Sequence, residues 1–450
     1  MNTNPSGTLM GKILETAEKL MLNHSLCDNC LGRQFANLGY GLSNSERGRA
    51  LKNVLTLEAS NLALNGDENG VKLLKRLALN GMFEPAKNML KKLGVPLKED
   101  KTIKCELCEG KLQKIEEMAK EALKRIEGYE FNNFLVGAKI PETVIEAEDS
   151  LRARHEIRWG ETIKSEFTRE IGKVLSRLTK KQVEYKKPDL VITFNPFNGE
   201  INFQVNPLFI EGRYRKIAVG FPQSKWLCKK CGGKGCERCG GTGKMYPESV
   251  QEIIEKPVLR LSLGERTEFH ASGREDVDAK VLGKGRPFVI EVKNPKIRNF
   301  DLKKVEEEIN QTGKVEVSNL CFAEKETVRK IKLLERAKKL YKALVEVEEG
   351  RITEKDLAEI EEKFTDVTIK QSTPRRVLHR RSDKTRTKHV YKVEARKISP
   401  KTFELKIESQ GGLYIKELID GDEGRTVPNM ADTLQKKLKC KELTVLDILD

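Results

Sequence analysis

The sequence predicts an α+β protein in two parts: an N-terminal metal-bound helical and α/β region, and a C-terminal region built on an antiparallel mixed sheet flanked by helices. Three observations predict it. Helical periodicity and then a helix–strand–turn–strand run occupy the chain up to about residue 210. Beyond about residue 245, segments of period-two alternation are interleaved with helices. Four C-x-x-C pairs are spread over both parts, a spacing that belongs to metal-tied folds.

In chain order, Ile163 to Lys180 reads as an amphipathic helix, with Ile163, Phe167, Ile171, Val174, Leu175 and Leu178 at helical spacing. Leu190 to Phe194 follows as a buried strand. Asn195-Pro196-Phe197-Asn198-Gly199 has turn chemistry, and Ile201, Phe203 and Val205 alternate on a second strand. The predicted division is 1–210 and 211–450. In the second part, Pro287 to Val292 and Lys314 to Ser318 read as strands, and Leu302 to Asn310 as a helix. Glu326 to Glu348 is expected as one long helix carrying Val328, Ile331, Leu334, Ala337, Tyr341 and Leu344 on a single face. Val390 to Ala395 and Phe403 to Ser409 are alternating strands.

The chain has 450 residues, 38% hydrophobic and 34% charged, with a formal net charge of +16. Such a composition belongs to a folded protein rather than a disordered one. The charge excess favours an anionic partner, of which nucleic acid is the commonest. No apolar run approaches the roughly 20 residues that span a bilayer. Met1 to Met10 lack the layout of a secretory signal, so a cytoplasmic protein is expected. Nothing in the sequence demands a dimer, and a monomer is expected.

Cys228-x-x-Cys231 and Cys236-x-x-Cys239 lie four residues apart among glycines, inside a segment bounded near 226–245. Two such pairs complete a tetrahedral Cys₄ shell suited to Zn²⁺. Cys27-x-x-Cys30 and Cys105-x-x-Cys108 would together close a second Cys₄ site. Their rival reading, a thioredoxin-like redox pair, lacks its βαβ setting. Four thiolates leave no open coordination position, so both sites are expected to be structural. Cys321 and Cys440 stand alone and read as buried apolar residues.

From Arg375 to Lys392 there are eight basic residues and one acid, Asp383. Arg375, Arg376, Arg380, Arg381, Arg386 and Lys388 are the expected grip on an RNA backbone, against the plainer reading of a solvated hairpin face. Upstream, Ser272-Gly273-Arg274-Glu275-Asp276-Val277-Asp278 places carboxylates in a glycine-containing turn. By itself such a carboxylate could be a cap, a metal ligand or surface charge. The stretch is not a phosphate-binding P-loop, since no Gly-Lys-Ser/Thr ending follows.

That Gly-Arg-x-Asp string resembles the catalytic loop of pseudouridine synthases. Together with Gly285-Arg286-Pro287-Phe288, Leu340-Tyr341-Lys342-Ala343-Leu344, Thr373 to Arg381, Gly412 to Glu417 and Gly421 to Thr426, it resembles the tRNA pseudouridine-54/55 synthases of the Pus ten class, archaeal type. The resemblance runs in order from Cys27 to the C-terminus. It implies a THUMP-containing RNA-binding region (about 81–207) and a pseudouridine synthase domain after it. It also implies isomerisation of uridine in the TΨC arm of tRNA without an organic cofactor, and structural zinc at the N-terminal site. Asp276 would be the nucleophile, with attack on sugar C1′ or base C6 both open. Tyr341 and Tyr414 would hold the flipped base, Lys416 would keep the nucleophile ionised, and Arg274 would touch phosphate or prop the loop. Plainer readings stand beside these: Tyr341 as core, Tyr414 and Lys416 as ordinary strand residues, Asp278 paired with Arg274, His270 as a loop or core histidine. The rival functions are a THUMP-bearing tRNA-modifying enzyme of another chemistry, which would need a Gly-rich nucleotide loop, and a non-catalytic zinc-containing tRNA-binding protein.

Overall fold

In a computed structural model, which describes residues 9–98, 103–379 and 381–449, the chain separates into two compact units, Met1–Val205 and Asn206–Asp450. The first opens on helices. Asn44–Leu64 starts at a capping box in which Ser43 and Glu46 satisfy each other's backbone N–H groups. Glu68–Leu79 and Glu84–Lys92 follow as amphipathic helices. Lys52, fully buried, ties these helices together: its Nζ donates to Leu26 O, Gly81 O and Asp28 Oδ1 at 2.9, 2.7 and 2.7 Å.

A four-stranded sheet completes the unit, in the order Gln182–Val183, Asn133–Ala138, Leu190–Asn195, Glu200–Val205. Phe134, Val136 and Ala138 alternate inward beside Leu190, Ile192 and Phe194. The helix Ile163–Thr179, capped by Thr162, covers them with Phe167, Ile171 and Leu175. Phe203, expected inward with Ile201 and Val205, is exposed and meets the edge of Tyr129. Arg33 lies buried between Glu148 (Nε–Oε1 2.8 Å) and Glu166 (Nη1–Oε2 2.6 Å). Two carboxylates around one buried guanidinium hold its charge by hydrogen-bonded pairing.

The second unit is built on a ten-stranded mixed sheet among the described residues. Its path is Thr426–Val427, Val367–Gln371, Arg386–Ser399, Thr402–Gln410, Lys338–Val347, Leu438–Leu449, Ala279–Lys293, Leu208–Lys216, Val315–Ala323, with Arg266–Ala271 pairing Ala279–Lys293 off that path. Pairing is antiparallel except between Leu438–Leu449 and Ala279–Lys293. The expected boundary at 210 falls inside Leu208–Lys216; that strand pairs on both sides within the second sheet, which moves the division to Val205/Asn206.

The long helix expected over Glu326–Glu348 is corrected. Only Lys325–Leu333 is α-helical, and Lys338–Val347 is a strand between Thr402–Gln410 and Leu438–Leu449. Lys339, Tyr341, Ala343, Val345 and Val347 are its buried face. This is a period of two in which the intervening Lys338, Leu340, Lys342 and Leu344 point the other way. Two apolar residues at helical spacing, Tyr341 and Leu344, masked it. Cys321 and Cys440 are also corrected. Cys321 is exposed on its strand, with Sγ 3.3 Å from Glu211 Oε1, and Cys440 is only partly buried.

Candidate active site and metal centres

The acidic loop links the paired strands Arg266–Ala271 and Ala279–Lys293. Gly273 turns it at φ +79°, a conformation that calls for glycine, and a Cβ there would come within 2.9 Å of Lys339 Nζ. Beneath the loop lies a polar network that joins Glu275 and Arg286, both in strings that carry the resemblance, to Tyr214, Gln223 and Lys216, which no sequence pattern singled out. The Tyr214 hydroxyl donates to Glu275 Oε2 at 2.8 Å. Gln223 Nε2 donates to the Tyr214 oxygen at 2.7 Å and to Gly273 O at 2.9 Å. Arg286 Nη1 donates to Ser272 O at 2.7 Å, while its Nε lies 3.1 Å from Glu275 Oε2 without the alignment of a hydrogen bond. Lys216 Nζ donates to Asp276 O and Val277 O at 3.2 and 2.9 Å. Burial, then the Glu275 charge, pushes the Tyr214 phenol well above its ordinary pKa, so it stays a donor.

Glu275 and Arg286 are a buried pair, and removing one partner strands the other's charge. Glu275→Ala is therefore expected to cost about 3 kcal/mol or more, lowering the melting midpoint by roughly 6 °C or more. An unchanged thermal melt would show that the network does not hold the loop.

Asp276 emerges from this base with its side chain 26% exposed, open to a cleft. Its Oδ1 lies 2.9 Å from Arg376 Nη1. Arg376 in turn donates from Nε to Glu417 Oε1 at 2.6 Å. Burial works against the Arg376 charge, but Glu417 and then Asp276 raise its pKa above the usual value. The cation beside Asp276 is thus Arg376, expected on the sequence as an RNA-backbone contact. Lys416, expected in that place, lines the same cleft but pairs with Asp278 at 2.6 Å. Asp278, read on the sequence as paired with Arg274, is thus the ion-pair partner of Lys416. The Arg274 guanidinium stands 5.8 Å from the Trp226 ring centroid.

Both expected tyrosines line the cleft. Tyr341 enters from the strand, and burial foremost pushes its phenol up to about 12. Tyr414 and Lys416 are not strand residues: Tyr414 caps the helix Ile415–Asp420 and Lys416 lies within it. Gln371 fixes Tyr414 by hydrogen bonds to both its backbone O (3.0 Å) and N (2.8 Å). Arg381 Nη1 donates to the Tyr414 hydroxyl at 2.9 Å. Of the other expected RNA contacts, Arg375 ion-pairs with Glu423, Arg386 reaches Thr373 Oγ1 at 3.3 Å, and Lys388 donates to Gly411 O at 2.8 Å. Arg380 lies outside the described residues. His270 sits on the strand Arg266–Ala271, 3.1 Å from Glu291, whose carboxylate also meets Lys293.

The eight paired cysteines gather as expected into two clusters, each with ligand atoms within 4.8 Å of one another, that could hold a metal ion. Tetrahedral Zn–S bonds of about 2.3 Å set sulfurs roughly 3.8 Å apart. The observed Sγ–Sγ separations fit: 3.6 Å for Cys27–Cys108, 3.8 Å for Cys228–Cys236 and 3.9 Å for Cys231–Cys239. Cys27, Cys30, Cys105 and Cys108 are all buried in the core of the first unit, whereas Cys231, Cys236 and Cys239 are partly exposed.

A sheet domain whose cleft presents Asp276 between an arginine and two tyrosines, preceded by a cysteine-tied α/β unit, is of the class to which the family described as Pus10, C-terminal, belongs; that family matches residues 209–449. Residues 118–195 match the Pus10 THUMP domain, archaeal. Proteins named tRNA pseudouridine synthase Pus10 are similar over nearly the full chain. That of Methanocaldococcus jannaschii is 44% identical, covering 96% of this chain and 94% of its own. That of Methanothrix thermoacetophila is 39% identical, covering 99% and 96%, and that of Thermofilum pendens 43% identical, covering 97% and 95%. The chain belongs to the Pus10 family. A solved Cbf5–Nop10–Gar1 complex is similar over 44% of each chain at 17% identity and a TM-score of 0.29, too slight a likeness to carry weight.

Proposed function

We propose that the chain isomerises uridine to pseudouridine in tRNA, at the adjacent positions 54 and 55 of the TΨC arm, with Asp276 as the nucleophile. The observation that carries this reading is the placement of Asp276: on a rigidly underpinned loop, ion-paired to Arg376, in one cleft with Tyr341 and Tyr414. The names of its full-length relatives support it. Isomerisation breaks the N1–C1′ bond of uridine and makes a C5–C1′ bond, with the C5 proton lost and N1 reprotonated. Nothing is oxidised and no group is donated, so a carboxylate that can form and release an adduct is a sufficient nucleophile.

Arg376 aims the Asp276 carboxylate through their ion pair, and Glu417 keeps Arg376 in place. The target nucleotide must leave its stack to reach the cleft. Tyr341 and Tyr414 offer it aromatic faces, and the arginines of the Arg375–Arg386 segment meet RNA phosphate around the entrance. The two Cys₄ clusters take structural zinc. Among the described residues no helix is long and apolar enough to cross a membrane, and we place the protein in the cytoplasm as a tRNA-binding monomer. Incubation with an unmodified tRNA transcript, followed by chemical mapping, is expected to show pseudouridine in the TΨC arm. A transcript bound but left entirely unmodified would favour a non-catalytic tRNA-binding protein.

A further inference from the structure

The apolar face of the strand Lys338–Val347 ends in a charge. Lys339 shares that face with Tyr341, Ala343 and Val345, and the residue is only 5% exposed. Among the described residues its ammonium has no hydrogen-bond or ion-pair partner, although it lines the same cleft as Asp276. Its register partner across the ladder is Ser409, whose buried hydroxyl likewise has none. A second lysine, Lys388, approaches the cleft from the neighbouring segment. Gly412, at φ +90°, leaves it room: a Cβ there would stand 3.2 Å from Lys388 Nζ, as one on Gly273 would stand 2.9 Å from Lys339 Nζ. Two glycines in left-handed conformation thus each let a lysine ammonium lie close against the backbone, and Lys388 Nζ also donates to Gly411 O at 2.8 Å.

The electrostatics agree. Burial, then the Arg286 charge, lowers Lys339 to about 7, while the Glu335 carboxylate nearby pulls the other way. Lys388 is lowered by burial and by Arg386 and Arg336. Cations that repel one another inside a cleft are relieved by an anion placed among them.

We propose that Lys339 and Lys388 form a phosphate subsite, which holds the backbone phosphate of the nucleotide whose base lies against Tyr341. This rests on the reading of the cleft as a uridine site in RNA. Lys339 and Tyr341 project from one strand face two residues apart, about 7 Å along the strand, so one nucleotide can present its base to the ring and its phosphate to the ammonium.

The test measures affinity for an unmodified tRNA transcript across a salt series, with the wild type and the variants Lys339→Met, Lys339→Arg and Lys388→Met. Each lost phosphate contact is expected to flatten the slope of log K against log salt by about 0.7–0.9. Lys339→Met and Lys388→Met should therefore each show a flatter slope and weaker binding, and Lys339→Arg should restore the slope. A folded Lys339→Met protein with wild-type slope and affinity overturns the subsite. Should Lys339→Met not fold, an unaltered slope in Lys388→Met overturns it equally. Binding slopes are read without catalysis, so failure of the isomerase reading would appear separately, as a wild type that binds tRNA and makes no pseudouridine.

Discussion

Asp276→Asn is expected to lower pseudouridine formation by at least about 10³-fold, or about 4 kcal/mol at 1.36 kcal/mol per decade, while tRNA affinity changes little. The substitution keeps size and hydrogen-bonding capacity but removes the negative charge and the nucleophilic oxygen pair. The loop should persist, because its anchors do not pass through the Asp276 side chain. Glu275, Tyr214, Gln223 and Arg286 hold one end, and Lys216 grips the Asp276 and Val277 carbonyls. Arg376 would still be fixed by Glu417. Single-turnover kinetics beside a binding titration check both halves. Loss of binding together with activity would make Asp276 a structural residue.

The second large effect is expected at the metal centres, and it should differ between them. Cys27, Cys30, Cys105 and Cys108 join segments 75 or more residues apart in sequence and sit inside the hydrophobic core of the first unit. Structural zinc in small domains contributes on the order of 10 kcal/mol. Cys105→Ser should therefore cost one equivalent of zinc and the cooperative melting of that unit. Cys228, Cys231, Cys236 and Cys239 are close in sequence, and most of them are partly exposed. Cys236→Ser should lose the other equivalent while the second sheet stays folded, because none of its ten strands includes a residue of that cluster. Elemental analysis of the wild type should give two zinc ions per chain. No appreciable zinc would refute both sites, and equal damage from the two variants would contradict the difference in burial.

Much of this was legible in the amino-acid sequence where the chemistry is local. A C-x-x-C pair declares itself at a separation of three residues, the strand Leu190–Asn195 shows as a short apolar run, and Thr402–Gln410 shows its alternation directly. The acidic loop and both tyrosines were found through the order of short strings along the chain. What stayed hidden was set by pairing across long separations. Lys338–Val347 reads as the end of a helix because Tyr341 and Leu344 fit a helical face; its strand state comes from two ladders contributed by residues 402–410 and 438–449. The choice of Arg376 over Lys416 as the partner of Asp276 depends on how the turn Arg375–Val377 and the helix Ile415–Asp420 meet the loop. Lys339 carries no motif of its own. Its one signal was a basic residue in phase with Tyr341, Ala343 and Val345, visible only once period two replaced the helical reading. Tyr214 and Gln223 matter through burial beneath the loop, a property that one sequence does not display.

The most direct test of the central claim sets the wild type and Asp276→Asn side by side on one unmodified tRNA transcript, at protein concentrations giving equal occupancy, with every pseudouridine mapped. The prediction is modification in the TΨC arm by the wild type and none by Asp276→Asn. Pseudouridine at the same sites from both proteins would remove Asp276 from the chemistry, and none from either would remove the chemistry from this cleft.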